Sequence, residues 1–168
     1  MNYLISIFFL MTTITTRSQT GKALTQRSTF NRETSVSITI KADPSIVWAL
    51  LTNAADYPRW NSTIISIDGK ISPGEKIRLR STLDPKRTFK LKIREADTNK
   101  KLVWGDAMGK RVYTLTTYEN GAITFSMDEK IGGPLFPLFA KMIPSFDASF
   151  EKFAADLKKE SETIMNSK

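Results

Sequence analysis

Polar and apolar side chains alternate over residues 35–40, and this period of two is typical of a β-strand with one buried face. Asp43 and Pro44 follow the strand. Aspartate caps the N-terminus of a helix and proline is tolerated in its first turn, so the two residues favour a helix start. The pattern therefore predicts a strand, a short helix over 44–52 and a second helical turn around 58–61.

Six further segments show the same alternation, and turn sequences separate them. Asn120–Gly121 is the strongest hairpin signal among these turns. The predicted strands cover residues 62–67, 76–82, 88–96, 101–107, 111–119 and 122–131. Because each strand has one apolar face, we expect a seven-stranded antiparallel sheet with its other face in solvent.

The C-terminal part of the chain changes to a helical period. After the Gly-Gly-Pro sequence at 132–134, apolar residues recur every three or four positions. Pro144 interrupts this register, which predicts a short helix ending near Ile143 and a longer helix from residue 144 or 145. A long helix with one apolar stripe must pack across the apolar face of the sheet, so the predicted fold class is α+β.

The N-terminal residues lack such a period. The apolar run from Tyr3 to Met11 is shorter than the roughly 20 residues that span a bilayer. It also lacks the basic flank and the cleavage site of a secretory signal. We predict a flexible leader over 1–33 and one folded domain over 34–165. A cytoplasmic location is favoured, with export or membrane attachment through the apolar run as the alternative.

Composition narrows the possible chemistry. The chain of 168 residues has a formal net charge of +8 and contains neither cysteine nor histidine. Disulfides, thiolate metal sites and histidine-dependent catalysis are therefore excluded. Any catalysis must use carboxylate, lysine, tyrosine, serine or threonine side chains. We expect no redox cofactor and no metal.

Three stretches carry a resemblance to a known superfamily. They are ADPSIVWALLTNAADYPRWN at 42–61, KLVW at 101–104 and SMDEKIGGPLFPLFAKMIPSFDASFEKFAADLKKESE at 126–162. In this order of elements, the chain resembles the START/Bet v 1-like helix-grip superfamily, in particular the polyketide cyclase/dehydrase and lipid-transport branch of the SRPBCC proteins. The resemblance implies a curved sheet wrapped round the long helix, with an apolar cavity between them that holds a hydrophobic small molecule or lipid.

The inward apolar face supplies the candidate lining of this cavity, since in such an architecture one face serves as both core and pocket. The predicted ligand-binding residues are Phe89, Leu91, Trp104, Tyr113, Leu115, Phe125, Met127, Glu129, Phe139, Met142, Phe146 and Phe150. Met and Phe side chains together suit apolar ligands of loosely defined shape.

Glu129 is the polar exception in this set, because strict alternation places it on the apolar face. A buried carboxylate is costly unless it is paired or has a raised pKa. Glu129 is therefore a candidate catalytic acid or base. The alternative is a residue at the cavity mouth that a basic side chain neutralises. Tyr113, Thr114 and Asp106 are weaker catalytic candidates.

Two further clusters are predicted to lie outside the cavity. Trp48, Tyr57 and Trp60 are interpreted as a plug that closes one end of the core, with a ligand clamp as the alternative. A basic stripe is expected on the outer face of two adjacent strands; it comprises Arg78, Arg80, Lys90, Lys92 and Arg94, with Lys86 and Arg87 at the turn. It is either an ordinary solvated face or a docking surface for anionic membrane. Nucleic acid is not expected, because aromatic residues are not interleaved with these charges.

The sequence thus predicts binding or transport of a hydrophobic small molecule or lipid. The first alternative is a polyketide cyclase/dehydrase-like enzyme that uses Glu129 together with a tyrosine or threonine hydroxyl. A second alternative is an interaction module that binds anionic membrane through the basic stripe.

Overall fold

One antiparallel sheet and four helices make up the described part of the chain. The computed structural model describes residues 20–118 and 121–167. The strands are Leu24–Arg27 (β1), Asn31–Ile40 (β2), Ile64–Asp68 (β3), Lys76–Ser81 (β4), Asp84–Asp97 (β5), Lys101–Gly105 (β6), Gly109–Thr117 (β7) and Ile123–Gly132 (β8). The helices are Pro44–Thr52 (α1), Tyr57–Trp60 (α2), Phe136–Phe139 (α3) and Asp147–Asn166 (α4), and 3-10 turns occur at Ala54–Asp56 and Ala140–Met142.

The strands follow the order β1-β2-β8-β7-β6-β5-β4-β3, and every neighbouring pair is antiparallel. Irregular pairing at 64–66, 79–81 and 93–95 interrupts the register. Bulges of this kind bend a sheet and increase its twist. The sheet is open and curved and α4 lies across it, which confirms the predicted α+β helix-grip fold.

The described sheet has eight strands rather than the predicted seven, because β1 lies within the stretch predicted as a flexible leader. β1 pairs with β2 from Leu24↔Ser35 to Arg27↔Arg32. Thr25 Oγ1 lies 2.8 Å from Thr34 Oγ1 and also donates to the Asp147 carboxylate. β1 thus lies inside the stretch 1–33, before the predicted start of the folded domain. The sequence LTQR of β1 lacks apolar alternation because this edge strand is mostly exposed.

The predicted turn at Leu83-Asp84-Pro85 is also shorter than expected. Ser81 pairs with Asp84, so two residues connect β4 to β5 and Pro85 already belongs to the strand. Pro85 is exposed near the start of β5, a position that proline tolerates in a strand.

The helical corner after β2 follows from local capping. The Asp43 carboxylate accepts a hydrogen bond from the Ser45 backbone N–H at 2.8 Å, and Pro44 begins α1. In α2, Tyr57 is fully buried and its hydroxyl donates to the Leu51 carbonyl at 2.8 Å. These contacts fix the corner against the rest of the core.

The core is richest in aromatic side chains where α4 crosses the sheet. The Phe153 ring lies 5.7 Å from the rings of Trp60 and Tyr113 and 6.2 Å from the ring of Phe125, measured between centroids. Offset and edge-to-face pairs at such distances each contribute about 0.5–1.5 kcal/mol beyond the burial of apolar area. Phe153 therefore joins the helix, the α2 corner and the central strands.

Polar contacts hold the middle of α4 on two sides. Lys158 Nζ donates to the Thr39 carbonyl of β2 at 2.9 Å. On the opposite side, the Asp156 carboxylate accepts from the backbone N–H of Ser62 at 2.8 Å. The helix is thus fixed between the β2 side of the sheet and the loop after α2.

No helix within residues 20–118 and 121–167 is both long and apolar enough to cross a bilayer. The apolar run at 3–11, on which the prediction of export or membrane attachment depends, lies outside the described residues.

Removing residues 1–30 should destabilise the domain, because this deletion removes β1 and its contacts with Thr34 and Asp147. Loss of one edge strand with its hydrogen bonds should lower the free energy of unfolding by roughly 1–3 kcal/mol. Thermal unfolding of the truncated and full chains measures the difference. A chain lacking only residues 1–19 is the matched control and retains every described contact of β1. Equal melting temperatures for the two truncated chains would show that β1 contributes nothing.

Candidate functional site

A cavity of about 430 Å³ lies between the sheet and the segment 139–146. Its position follows from the length of α4, which begins only at Asp147. Before that residue, only α3 and the 3-10 turn after it cover the inner face of the sheet, and this thin cover leaves space beneath it. The apolar lining comprises Ile64, Leu79, Leu83, Phe89, Leu91, Trp104, Met108, Ile131, Phe139, Met142, Ile143, Pro144 and Phe146.

The structure divides the predicted ligand-binding residues into two groups. Those that line the cavity are Phe89, Leu91, Trp104, Glu129, Phe139, Met142 and Phe146. Those that pack in the core instead are Tyr113, Leu115, Phe125, Met127 and Phe150. Both groups occupy the inner face, so alternation alone could not separate them. The division depends on Phe153 and its neighbours, which fill the space over the second group.

The cavity opens to solvent at one end of the sheet. Met142, Met108 and Leu83 line it and are also exposed, so the opening lies between the 3-10 turn after α3 and the turns that follow β4 and β6. Trp104, by contrast, is almost fully buried and forms part of the inner wall. The site therefore has an apolar mouth and an apolar floor.

Glu129 faces the cavity, as alternation predicts, and it is paired with Arg111. The two residues are direct neighbours across β7 and β8. Arg111 Nε donates to Glu129 Oε2 at 2.5 Å, and Arg111 Nη2 contacts the same oxygen. Both side chains are largely buried and both line the cavity. The inward carboxylate is thus neutralised by a basic side chain, which was the alternative to a free acid or base.

Arg111 remains charged in this setting. Burial is the largest single influence and would lower the pKa of its guanidinium, but the Glu129 carboxylate and the Tyr113 hydroxyl together outweigh burial and raise that pKa above its ordinary value. The guanidinium also lies 5.0 Å from the centre of the Phe150 ring. Arg111 was missed in the sequence, although alternation along β7 places it on the same face as Tyr113 and Leu115.

A second buried arginine fixes the cover of the cavity. Arg32, on β2, donates from Nη1 to the Ile143 carbonyl at 3.2 Å, and its guanidinium lies 4.4 Å above the Phe146 ring. Burial, together with the charge of Arg27, lowers the pKa of Arg32. Arg32 thereby ties the segment before α4 to the sheet. It was not a candidate from sequence because it fell within the predicted leader.

Tyr113 lies behind the ion pair rather than in the cavity. Its hydroxyl is buried close to the Arg111 guanidinium, yet it forms no hydrogen bond of ordinary geometry within the described residues. Burial raises the pKa of this hydroxyl well above its usual value, although the positive charge of Arg111 acts in the opposite direction. Tyr113 therefore stays neutral over the physiological range.

Asp106 and Thr114, the other two weaker catalytic candidates, occupy positions that the fold itself explains. The Asp106 carboxylate accepts from the backbone N–H groups of Met108 and Gly109 at 2.8 and 3.0 Å and so closes the turn between β6 and β7. Thr114 alternates with Tyr113 and lies on the outer face of the sheet.

A Cβ atom at Gly105 would lie 2.2 Å from the Gly109 carbonyl oxygen, so only glycine permits this close turn at the cavity rim.

The tryptophan and tyrosine residues of the helical corner lie away from the cavity. The rings of Tyr57 and Trp60 are 4.9 Å apart and pack in the core with Phe153. Trp48 packs at the edge of the same core. None of the three belongs to the described cavity lining. Their arrangement is that of a plug at the closed end of the domain.

The basic stripe lies on the outer face of β4 and β5, as the alternation indicates. Arg78 pairs directly with Lys90, and Lys76 pairs with Lys92, so like charges face one another across the ladder. All of these side chains are exposed. Asp68 on β3 is the cross-strand neighbour of Arg78 and offsets part of the charge.

Within residues 20–118 and 121–167, no group of three or more acidic side chains is close enough to hold a metal ion. Besides its apolar residues and the Arg111–Glu129 pair, the cavity lining includes the polar side chains of Ser81, Asp84, Arg87, Asp106 and Lys110.

The open antiparallel sheet, the long C-terminal helix and the cavity between them define a START-like helix-grip protein. A family model described as polyketide cyclase/dehydrase and lipid transport matches residues 31–162. The chain belongs to this family, which confirms the resemblance seen in the sequence.

Solved structures show the same fold at low sequence identity. A norcoclaurine synthase point mutant from Thalictrum flavum, in complex with a transition state analogue, is 11% identical with a TM-score of 0.61, over 83% of this chain and 99% of that one. A START superfamily protein from Mycobacterium smegmatis is 13% identical with a TM-score of 0.57, over 79% and 98% of the two chains. A conserved protein of unknown function from Enterococcus faecalis is 14% identical with a TM-score of 0.60, over 84% and 77%. No curated protein matches the chain in sequence.

The Arg111–Glu129 pair should couple strongly in a double-mutant cycle of Arg111→Met and Glu129→Gln. Each single change leaves a largely buried charged or polar group without its partner and should cost about 1.5–3 kcal/mol of stability. The double variant should cost clearly less than the sum, as measured by urea unfolding. The Lys130–Glu33 pair, whose side chains are about half exposed, is the matched control and should couple by about 0–1 kcal/mol. Additive effects at Arg111 and Glu129 would contradict the described pairing.

Proposed function

We propose that this protein binds a hydrophobic small molecule or lipid in the cavity beneath the segment 139–146 and carries it without chemical change. The observation that carries the proposal is the cavity itself. Its volume of about 430 Å³ falls within the range of small-molecule sites, and most of its lining is apolar. Methionines at the mouth, Met108 and Met142, can adjust to ligands of different shape.

The ion pair on the inner wall favours a ligand with one polar end. Arg111 can donate a hydrogen bond to a carbonyl oxygen, and Glu129 can accept one from a hydroxyl group. Because the two charges neutralise each other, a neutral polar group fits this wall better than a charged group, which would leave a net charge buried. The proposed ligand is therefore an apolar body with a hydroxyl or carbonyl group at its inner end.

An enzyme of the cyclase/dehydrase kind is the second candidate, since a carboxylate faces the cavity. Glu129 lies in contact with the Arg111 guanidinium, and in an enzyme its carboxylate would act as the general base. Arg111 would then stabilise an oxyanion that develops on the substrate. Tyr113, the hydroxyl considered as a partner for Glu129, lies outside the cavity lining, and this favours the carrier over the enzyme.

Filling the cavity with one side chain tests the proposal. Leu91 lines the cavity from β5 and is half-buried, so Leu91→Trp should place an indole ring in the open space. We expect binding of a neutral naphthylamine fluorescent probe to weaken by roughly tenfold or more, since the ring displaces ligand volume. Lys92→Trp is the matched control, because it adds the same ring to the outer face of the same strand and should leave probe affinity unchanged. Equal affinity in both variants would refute binding in this cavity.

Turnover and probe binding of the unmodified protein and of a Glu129→Gln variant separate the carrier from the enzyme. In an enzyme, Glu129→Gln should lower turnover of a poly-β-keto substrate by about 10²–10⁴, because it removes the group that accepts the proton. A carrier should show no turnover in either form and should keep probe affinity within a few-fold. Turnover that is lost only with Glu129→Gln would replace the carrier with the enzyme.

A further inference from the structure

Exposed large apolar side chains concentrate at one end of the molecule, around the cavity mouth. They are Phe30, Leu83, Met108, Leu135, Leu138 and Met142. The three on the cover segment, defined as residues 133–146, are among the most exposed apolar residues of the described chain, with 67% of Leu135, 80% of Leu138 and 82% of Met142 accessible. Isolated exposed apolar residues are ordinary, but a cluster at one end marks a surface for interaction.

The strand register explains why these residues share one end. Asn31 pairs with Gly132, and Gly109 pairs with Ile131, so the turn after β1 and the start of the cover segment lie beside the turn after β6. Phe30, Met108 and Pro134 accordingly line one shallow depression. The turn between β4 and β5, which carries Leu83, also borders the cavity at this end.

The local packing of α3 leaves its apolar residues outside. Phe136 is buried, and its ring meets the Phe139 ring edge-on at 5.6 Å. These two side chains occupy the inner side of the short helix. Leu135 and Leu138 therefore face solvent, and no described core residue covers them.

Positive charge surrounds this apolar end. Arg27, Lys86, Arg87, Lys110 and Lys141 are all exposed in or beside its turns. The acids nearby are Asp84, which lines the cavity beside Arg87, Asp106, whose carboxylate accepts two backbone hydrogen bonds, and Glu33, which is paired with Lys130 at 2.5 Å. The end thus combines exposed apolar side chains with an excess of cations.

We propose that this end of the molecule docks on an anionic lipid bilayer, with Leu135 and Leu138 entering the interface between headgroups and acyl chains. Anionic headgroups complement the surrounding cations, and the acyl boundary accepts the apolar side chains. A second copy of the chain fits this end less well, since a two-fold contact would bring Lys141 and Arg87 against like charges. The docking surface goes beyond the proposed carrier function, and it would place the cavity mouth against the bilayer.

This surface shares Lys86 and Arg87, at the turn between β4 and β5, with the basic stripe. The stripe residues on the strands themselves lie apart from the docking surface and can be mutated separately. The stripe residues Arg78, Lys90 and Lys92 lie on the outer face of the sheet, where Arg78 pairs with Lys90 across β4 and β5. Lys86 lies near the start of β5, and Lys141 lies in the 3-10 turn after α3.

Co-sedimentation with vesicles of phosphatidylcholine, alone or mixed with phosphatidylserine, tests the docking surface. The unmodified protein should bind the mixed vesicles and not the neutral ones. Leu135→Ser combined with Leu138→Ser should weaken that binding roughly tenfold, and Lys86→Gln combined with Lys141→Gln should weaken it roughly twentyfold. Two matched controls should bind as the unmodified protein does: Leu24→Ser with Met165→Gln, which alters exposed apolar residues elsewhere, and Lys90→Gln with Lys92→Gln, which alters the stripe.

Three outcomes would overturn this proposal. The first is unchanged vesicle binding in the Leu135/Leu138 variant. The second is loss of binding in the stripe variant alone, which would assign docking to the outer sheet face. The third is a dimer in analytical ultracentrifugation that the Leu135/Leu138 variant abolishes, which would assign the surface to a second copy. Probe affinity in lipid-free solution is measured in parallel, so failure of docking is distinguishable from failure of the ligand-binding proposal.

Discussion

The contact between Phe153 of α4 and the aromatic side chains of the sheet determines how the rest of the domain is arranged. Its ring touches the α2 corner through Tyr57 and Trp60 and the central strands through Tyr113 and Phe125. This contact fixes the helix over one half of the inner face. Because α4 begins only at Asp147, the other half is covered only by the short helix α3 and the 3-10 turn after it. A packed half and an open half of one apolar face are the direct result.

The Arg111–Glu129 pair lies at the boundary between the packed half and the open half of the inner face. Phe150 of the packed half contacts the guanidinium, while the open half gives both side chains access to the cavity. An ion pair in this position adds little to stability compared with apolar residues of the same size. The pair is the part of the inner face that the polar end of the proposed ligand would meet.

Much of the fold could be predicted from the sequence, because alternation and capping are local signals. The strands from β2 onwards, the corner begun by Asp43 and the long final helix all follow from such patterns. β1 escaped prediction since an exposed edge strand needs no apolar period. The sequence also did not show that Phe89 lines the cavity while Phe125 packs in the core. Both residues face inward, and only the three-dimensional position of Phe153 decides which one meets a cavity. Arg111 could have been found, because alternation with Tyr113 places it inward.

The most direct measurement of the central claim is fluorine NMR on protein labelled with fluorotryptophan. The chain has three tryptophans, of which Trp104 lines the cavity while Trp48 and Trp60 lie at the packed end. Substitution of each tryptophan by phenylalanine assigns the three signals. On addition of the neutral naphthylamine probe, the account predicts a shift of the Trp104 signal, with those of Trp48 and Trp60 unchanged. Probe binding that leaves the Trp104 signal in place, or that shifts the Trp60 signal instead, would contradict a ligand site in the open half of the sheet.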